Sequence, residues 1–394
     1  MPERSWNKAL RPGTITFVMI IVAVLAVLAF SSAWVVFSRR TQPSSSEDNP
    51  FPSSVQKQLD SALDTTMKNA DVPGAIVGVW VPGKGSWVAT RGVADTATRK
   101  PVATGDLVRI GSITKTFVAT VVLQLVDQKI IGLDDPLSKY VTTVPDAGQI
   151  TIRQLLNHTS GLFDFLDDEG FERAIIAKPG RKWTPAELVS LATSHPPYFA
   201  PGAGWHYSNT GYILLGMIVE SVTGDRLANE VDRRIVKPLG LTNTFFPSSA
   251  DVAGPILTGY ELVDGKLEKV PRFDPSVGWA SSAMVSDLAD MKTWVRALAE
   301  GTLLSQESQA QRLNTITTAP GSPQYGLGMM RNTDYTNDLL GHDGNAFGFT
   351  CASFYMPAES ATVIVILNRG LGEDITGYQM ASTLEGILFQ RKPF

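Results

Sequence analysis

The sequence predicts an α+β fold. One layer is built from both ends of the globular chain, a mainly helical subdomain is inserted between them, and one transmembrane helix stands in front. Three observations predict it. Strand signals gather before residue 112 and return after residue 315, the stretch between them reads as helix and loop, and residues 14–37 form an uncharged, mostly apolar run. With 43% hydrophobic and 18% charged residues, 394 positions suffice for a large core and two or three structural units.

The apolar run, Thr14 to Phe37, holds 24 residues. As a helix it would extend ~36 Å, enough to cross a hydrocarbon layer with some tilt. Arg4, Lys8 and Arg11 precede it, while Arg39 and Arg40 follow, so the positive-inside rule leans towards an internal N-terminus. The rival reading is a cleaved signal peptide, with Ser31-Ser32-Ala33 as a poor cleavage site. Signal h-regions run about 7–15 residues, so the greater length favours an uncleaved anchor. The expectation is a single-pass cell-membrane protein with the rest of the chain outside the cytoplasm, or a secreted one if the segment is cleaved. Residues 1–40 are read as the anchor, and 41–54 (TQPSSSEDNPFPSS), rich in Pro and Ser, as a flexible tether.

Globular sequence is expected over 55–394, with 55–111 and 316–394 forming the α/β part and 112–315 the helical part. Val55, Leu59, Leu63 and Met67 recur every four residues and mark an amphipathic helix. Ala75 to Val81 and Ser86 to Gly92 read as strands around the turn Pro82-Gly83-Lys84-Gly85. Ile113 to Gln128 carries two apolar stripes, Phe117/Val121/Leu125 and Val118/Val122/Val126, which predicts a central, buried helix. Further helices are expected at Ile213 to Val222 and Ser286 to Glu300. Strands are expected at Tyr325 to Met329, Gly348 to Met356 and Ala361 to Leu367, the last two as a hairpin through Pro357 to Ser360. A closing helix is expected at Ile375 to Gln390.

Charge and metal-ligand content exclude several classes. The net charge is −4 and no basic stripe stands out, which argues against a nucleic-acid partner. The four histidines form no HExxH, and Cys351 is the single cysteine, so there is neither a zinc pattern nor an internal disulfide. No cofactor is implied, and the sequence leaves the oligomeric state open.

Catalytic chemistry is carried by three short segments. Ser112-Ile113-Thr114-Lys115 opens the central helix, and residues three apart share a helix face, which puts an amine beside a hydroxyl. A serine hydroxyl is a weak nucleophile until a base takes its proton. Burial favours the neutral amine that could do so, and a helix N-terminus offers N–H groups to a developing oxyanion. The spacing also occurs at Ser5/Lys8 and Ser54/Lys57, but neither of those opens a core helix, and a capping serine would give the same letters. The second segment is Tyr207-Ser208-Asn209. Its phenol can relay a proton and its amide can hold both a substrate carbonyl and the lysine. Tyr335-Thr336-Asn337 is a decoy without flanking pattern. The third is Gly341-His342-Asp343-Gly344-Asn345, read as a loop ahead of Gly348 to Met356, where glycine would let substrate approach the backbone.

Ser-x-x-Lys, Tyr-Ser-Asn and His-x-Gly in that order resemble the serine β-lactamase/DD-peptidase family. Within it the match leans to class C β-lactamases and DD-carboxypeptidases with a histidine in the third motif. The stretches 155–162 (LLNHTSGL) and 201–212 strengthen the resemblance, which covers roughly residues 55 to 390. It implies an antiparallel sheet flanked by helices, with the active site between sheet and helical subdomain. It also implies an acyl-enzyme on Ser112, general-base work shared by Lys115 and Tyr207, and an oxyanion hole from the Ser112 and Asn345 N–H groups. Asn209, His342, Asp343, Gly344 and Asn345 would bind or position substrate, and His158 would serve a structural turn. One departure stands out: Asp343 replaces the usual Thr or Ser. Facing the site it would repel a carboxylate; facing away it would only orient His342 or join a local network. An esterase or a D-amino-acid aminopeptidase therefore stays beside the carboxypeptidase and β-lactamase readings. A histidine there in place of lysine makes any charge pH-dependent. A membrane sensor that is acylated without turnover keeps the same serine and lysine. It would need a receiving element, and only about a dozen residues precede the apolar run.

Overall fold

The computed structural model describes residues 49–319, 322–332, 338–370 and 377–389. The expected membrane helix, the start of the tether, and Tyr335 to Asn337 lie outside the described residues. Among the described residues no helix is long and apolar enough to cross a membrane.

The core of the fold is an eight-stranded sheet ordered β3-β2-β1-β12-β11-β10-β9-β8, and its strand pairs are antiparallel. The strands are β1 (Gly74–Val81), β2 (Gly85–Asp95), β3 (Lys100–Pro101), β8 (Gln324–Tyr325), β9 (Met330–Asn332), β10 (Leu339–Ala346), β11 (Phe349–Met356) and β12 (Ala361–Leu367). The hairpin through Pro357 to Ser360 forms as expected. β12 reads ATVIVIL without polar alternation because both of its faces are covered. Val363, Val365 and Leu367 enter one apolar cluster, while Ile364 and Ile366 enter the other.

Helices α1 (Ser53–Asn69) and α5 (Gly377–Phe389) pack together on one face, with Leu59, Leu63, Tyr378 and Leu384 in its core. The opposite face carries the larger cluster, in which α2 (Thr114–Asp127) is central. Eleven residues of α2 are buried, Thr114 to Leu123 and Leu125, so this helix is enclosed on nearly every side. Phe117 stacks on Trp294 at 4.0 Å between ring centres, and the Trp294 indole N–H donates to Thr116 Oγ1 at 2.8 Å. Truncating Phe117 to alanine would cost about 3–5 kcal/mol by the usual core penalty. Beside α2 lies α3 (Asn209–Thr223), which ends at Gly224 in the left-handed conformation, φ 69°.

Several boundaries differ from the sequence expectation. Asn49 to Phe51, assigned to the tether, belong to the fold. Phe51 is buried and its N–H donates to the Ser86 carbonyl at 3.1 Å, because an apolar ring next to a strand edge has somewhere to go. α4 (Leu288–Glu300) falls inside the stretch given to the helical part but lies on the sheet; its Glu300 accepts a hydrogen bond from Tyr355 of β11 at 2.9 Å. The inserted part also holds two small strand pairs, β4 (Val108–Arg109) with β7 (Val285–Ser286) and β5 (Tyr260–Val263) with β6 (Lys266–Lys269). The strand expected at Tyr325 to Met329 is broken by a turn. Gly328 sits at φ 76°, and the Gly326 N–H donates to the Met329 carbonyl at 2.8 Å.

Candidate active site

Ser112 lies in a single 3-10 turn, Gly111–Ile113, that leads into α2. This turn is pressed against β10. Gly111 adopts φ 54°, and a Cβ there would stand 2.5 Å from the Asn345 carbonyl oxygen; a Cβ on Gly344 would stand 2.0 Å from the Ile110 carbonyl oxygen. Only glycines allow the serine turn and the third motif to approach this closely. The third motif is itself a correction. His342 to Asn345, expected in a loop, lie on β10 and pair with β11 residues Ser353 to Thr350. Two polar side chains and two glycines hid the strand, and tertiary pairing overrode that composition.

Lys115 is completely buried. Its Nζ is 3.1 Å from Ser112 Oγ, 2.7 Å from Asn209 Oδ1 and 3.1 Å from the Ser281 carbonyl oxygen. Burial depresses its pKa from the usual 10.5 to about 7, against the opposing pull of Asp164 and Asp343. The three contacts suit both forms of the amine. As the ammonium, Nζ donates to all three; as the neutral amine it keeps two donations, to Asn209 and Ser281, and turns its lone pair to the Ser112 hydroxyl. Asn209, first residue of α3, is fixed in turn: its Nδ2 donates to Asp164 Oδ2 at 2.7 Å. Asp164 is buried, and that burial pushes its carboxyl upward.

The Tyr207 ring lies 4.6 Å from the Lys115 ammonium nitrogen. Its hydroxyl is buried and has no hydrogen bond of full geometry among the described residues. Burial holds its pKa well above the usual phenol range, with the Ser112 hydroxyl as the neighbour that eases it downward. The phenol is therefore neutral and can pass a proton without holding a charge. His158 stands behind it, ring centre to ring centre 4.2 Å, with φ 64° and its Nδ1 accepting the Ser208 N–H at 3.2 Å. The turn expected of His158 is present, and the same ring also backs Tyr207.

His342 and Asp343 point to opposite faces of the sheet. His342 is buried on the active-site side, where Nε2 meets the Tyr325 hydroxyl at 2.8 Å and Nδ1 meets the Asp343 carbonyl oxygen at 2.5 Å. Both ring nitrogens are thus engaged, and burial depresses its pKa to about 3. The pH-dependent charge expected there is absent around neutrality, since the ring stays neutral. Asp343 pairs with Ala352, whose side chain belongs to the α1/α5 face, and its carboxylate accepts the Tyr378 N–H in the first turn of α5. Burial pushes its pKa up to about 6. The substrate-binding role expected for Asp343 is therefore not supported by its direction; it faces away and ties β10 to α5.

Three contributors were missed from the sequence: Asp164, the Ser281 carbonyl and Tyr325. Asp164 follows the LLNHTSGLF stretch closely, and an acid beside a motif turn was the available signal. Ser281 and Tyr325 reach the site only through folding. Ser112, Tyr207, Asn209 and Asn345 line one cavity of about 730 Å³, with an apolar wall that includes Phe171, Phe273 and Phe347. No group of His, Cys, Asp or Glu among the described residues could hold a metal ion.

A sheet covered on both faces, with this serine–lysine–tyrosine cluster between it and the helical part, defines a serine hydrolase of the β-lactamase/transpeptidase fold. The chain belongs to the Beta-lactamase family, whose sequence model matches residues 59–380. It is 27% identical over 319 residues to penicillin-binding protein 4* of Bacillus subtilis (strain 168), an overlap of 76% of this chain and 68% of that one. To the esterase EstB of Burkholderia gladioli it is 32% identical over 207 residues, half of this chain and 53% of the esterase. Among solved structures, a D-stereospecific amidohydrolase from Streptomyces sp. superposes with a TM-score of 0.76 at 31% identity, covering 87% of this chain and 100% of that one.

Proposed function

We propose that this chain is a serine acyl hydrolase that forms an acyl-enzyme on Ser112 and acts on small amides and esters, D-amino-acid amides among them. The observation that carries the reading is the buried Lys115 amine, 3.1 Å from Ser112 Oγ and depressed to about 7. Neutral Lys115 takes the Ser112 proton as Oγ attacks the substrate carbonyl carbon. The backbone N–H groups of Ser112 and Asn345 receive the oxyanion. Tyr207 passes its proton to the leaving amine or alcohol and regains one from the Lys115 ammonium, which returns both groups to neutrality, and water then releases the acid from Ser112. Asn209 holds Lys115, while His342, neutral and doubly bonded, shapes the floor rather than charging it. The amidohydrolase and esterase similarities favour amide and ester substrates, and Asp343, bonded to the first turn of α5, acts on the site through its charge and not as a substrate contact. The N-terminal apolar run would hold the domain on the outer side of a membrane.

The test is turnover by the full chain of D-phenylalanine p-nitroanilide, a p-nitrophenyl ester and fluorescent penicillin, with intact mass followed over time. A transient adduct on wild type, and a loss of about 10³-fold or more in Ser112→Ala, are the expected results. A permanent adduct without turnover would instead mean a sensor. Full activity in Ser112→Ala on every substrate would end the proposal.

A further inference from the structure

The cleft beside Ser112 carries charged side chains, and most of them are already answered. Lys269 pairs with Asp95 at 3.3 Å and Arg272 with Asp251 at 2.6 Å. Asp274 accepts the Ser276 N–H and hydroxyl, and the Glu261 carboxylate accepts the Gly348 N–H. Glu172 is exposed, so water answers it. Arg109 is different. It stands on β4, three residues before Ser112, and lines the same cavity. A guanidinium has five N–H donors, and here Nη2 donates to the Ala250 carbonyl at 3.0 Å. No carboxylate of the described residues lies within ion-pairing distance of it. Arg272 adds a second positive charge nearby, and Asp274 offsets it in part.

A half-buried guanidinium without a counterion costs free energy unless something supplies one. Arg109 lines the cleft, and its remaining donors belong to a planar fork that matches a carboxylate.

Resting on the acyl-hydrolase reading, we infer that Arg109, flanked by Arg272, forms a carboxylate subsite in the cleft, so that the preferred substrate carries a carboxylate near its scissile amide or ester. This site is separate from the third motif, where Asp343 offers the cleft no hydroxyl.

The experiment compares substrates that differ only in that charge: acetyl-D-alanyl-D-alanine against its C-terminal amide, and succinyl-D-alanine p-nitroanilide against the methyl ester of its succinyl group. The full chain should favour the carboxylate member of at least one pair by about 10–100-fold in kcat/KM, the range set by charge-assisted hydrogen bonds. Arg109→Leu should lower that ratio about 10-fold or more, with Arg109→Lys between, while the distant charge removal Lys84→Ala should leave it intact. Should Arg109→Leu fail to fold, Arg272→Ala, whose side chain is 64% exposed, provides the second reading, with a smaller fall in the same ratio. Dissociation constants of the same pairs on Ser112→Ala separate the two failures. A carboxylate preference in Kd that Arg109→Leu abolishes supports the subsite even where turnover is absent. Equal affinity for both members, or a ratio untouched in the Arg109 and Arg272 variants, overturns it while leaving Ser112-dependent turnover standing.

Discussion

Replacing Asp164 with asparagine should move the pH dependence of acylation towards acid. Asp164 Oδ2 takes the Asn209 Nδ2 proton at 2.7 Å, and Asn209 Oδ1 takes the Lys115 proton at 2.7 Å, so one amide separates the carboxylate from the amine. That geometry puts the two charges about 7 Å apart, and at an effective dielectric of roughly 20 their attraction is about 2 kcal/mol, or on the order of one to two pH units. The expected change is taken at the lower end of that range, about one unit. The sign follows from the role of Lys115. As a base it must be neutral, so kcat/KM rises with pH through its pKa of about 7. Asp164 is among the charges that hold this pKa up. Asparagine removes the charge and keeps one of the two acceptor oxygens, the one that takes the Asn209 amide, while the contact to the Leu166 N–H is lost. The acid limb of kcat/KM for a p-nitrophenyl ester, measured from roughly pH 5 to 9 with enzyme stable throughout, should move downward by about one unit. A limb that stays in place or moves upward would refute the assignment of Lys115 as the titrating base.

Tyr207→Phe should reduce kcat by about 10²- to 10⁴-fold while the melting temperature stays nearly unchanged, because the hydroxyl lost has no full hydrogen bond to forfeit; a large fall in Tm would instead make it a structural group. Gly344→Ala should sharply reduce activity and lower stability by several kcal/mol, since its Cβ would meet the Ile110 carbonyl oxygen at 2.0 Å and push the serine turn away; wild-type turnover by a soluble variant would show that the two segments need not touch. Asp343→Thr should leave the preference between carboxylate and neutral substrates unchanged and cost about 0.5–2 kcal/mol in denaturant unfolding, because the carboxylate serves the first turn of α5; a changed preference would place the side chain in the cleft.

Much of the site was legible in the sequence because it is local. Ser112 and Lys115 are three residues apart at the mouth of a helix whose apolar circumference announces burial, and Tyr207 to Asn209 start another. What stayed hidden depends on distant chain segments. Asp164 acts through Asn209, and the Ser281 carbonyl accepts from Lys115 without any side-chain signature. Tyr325 meets His342 only because β8 and β10 flank β9 in one sheet. The direction of Asp343 depended on knowing that its segment is a strand. Once it is paired with Ala352, the alternation of a pleated sheet sends it to the face opposite His342. Strands were visible where they are fully apolar, as in β1 and β12 of the large sheet, and invisible where short strands such as β5 and β6 form a separate pair.

The seam between β1 and β12 places Ala75 opposite Leu367 and Trp80 opposite Thr362. A nascent polypeptide therefore exposes β1 as an unmatched edge until almost the last strand has been made, and closing so long a loop is slow. Through that interval the apolar β1–β2 hairpin is open to pairing with neighbouring chains. Loss of β12 would leave the nucleophile's scaffold open at its middle, between β1 and β11.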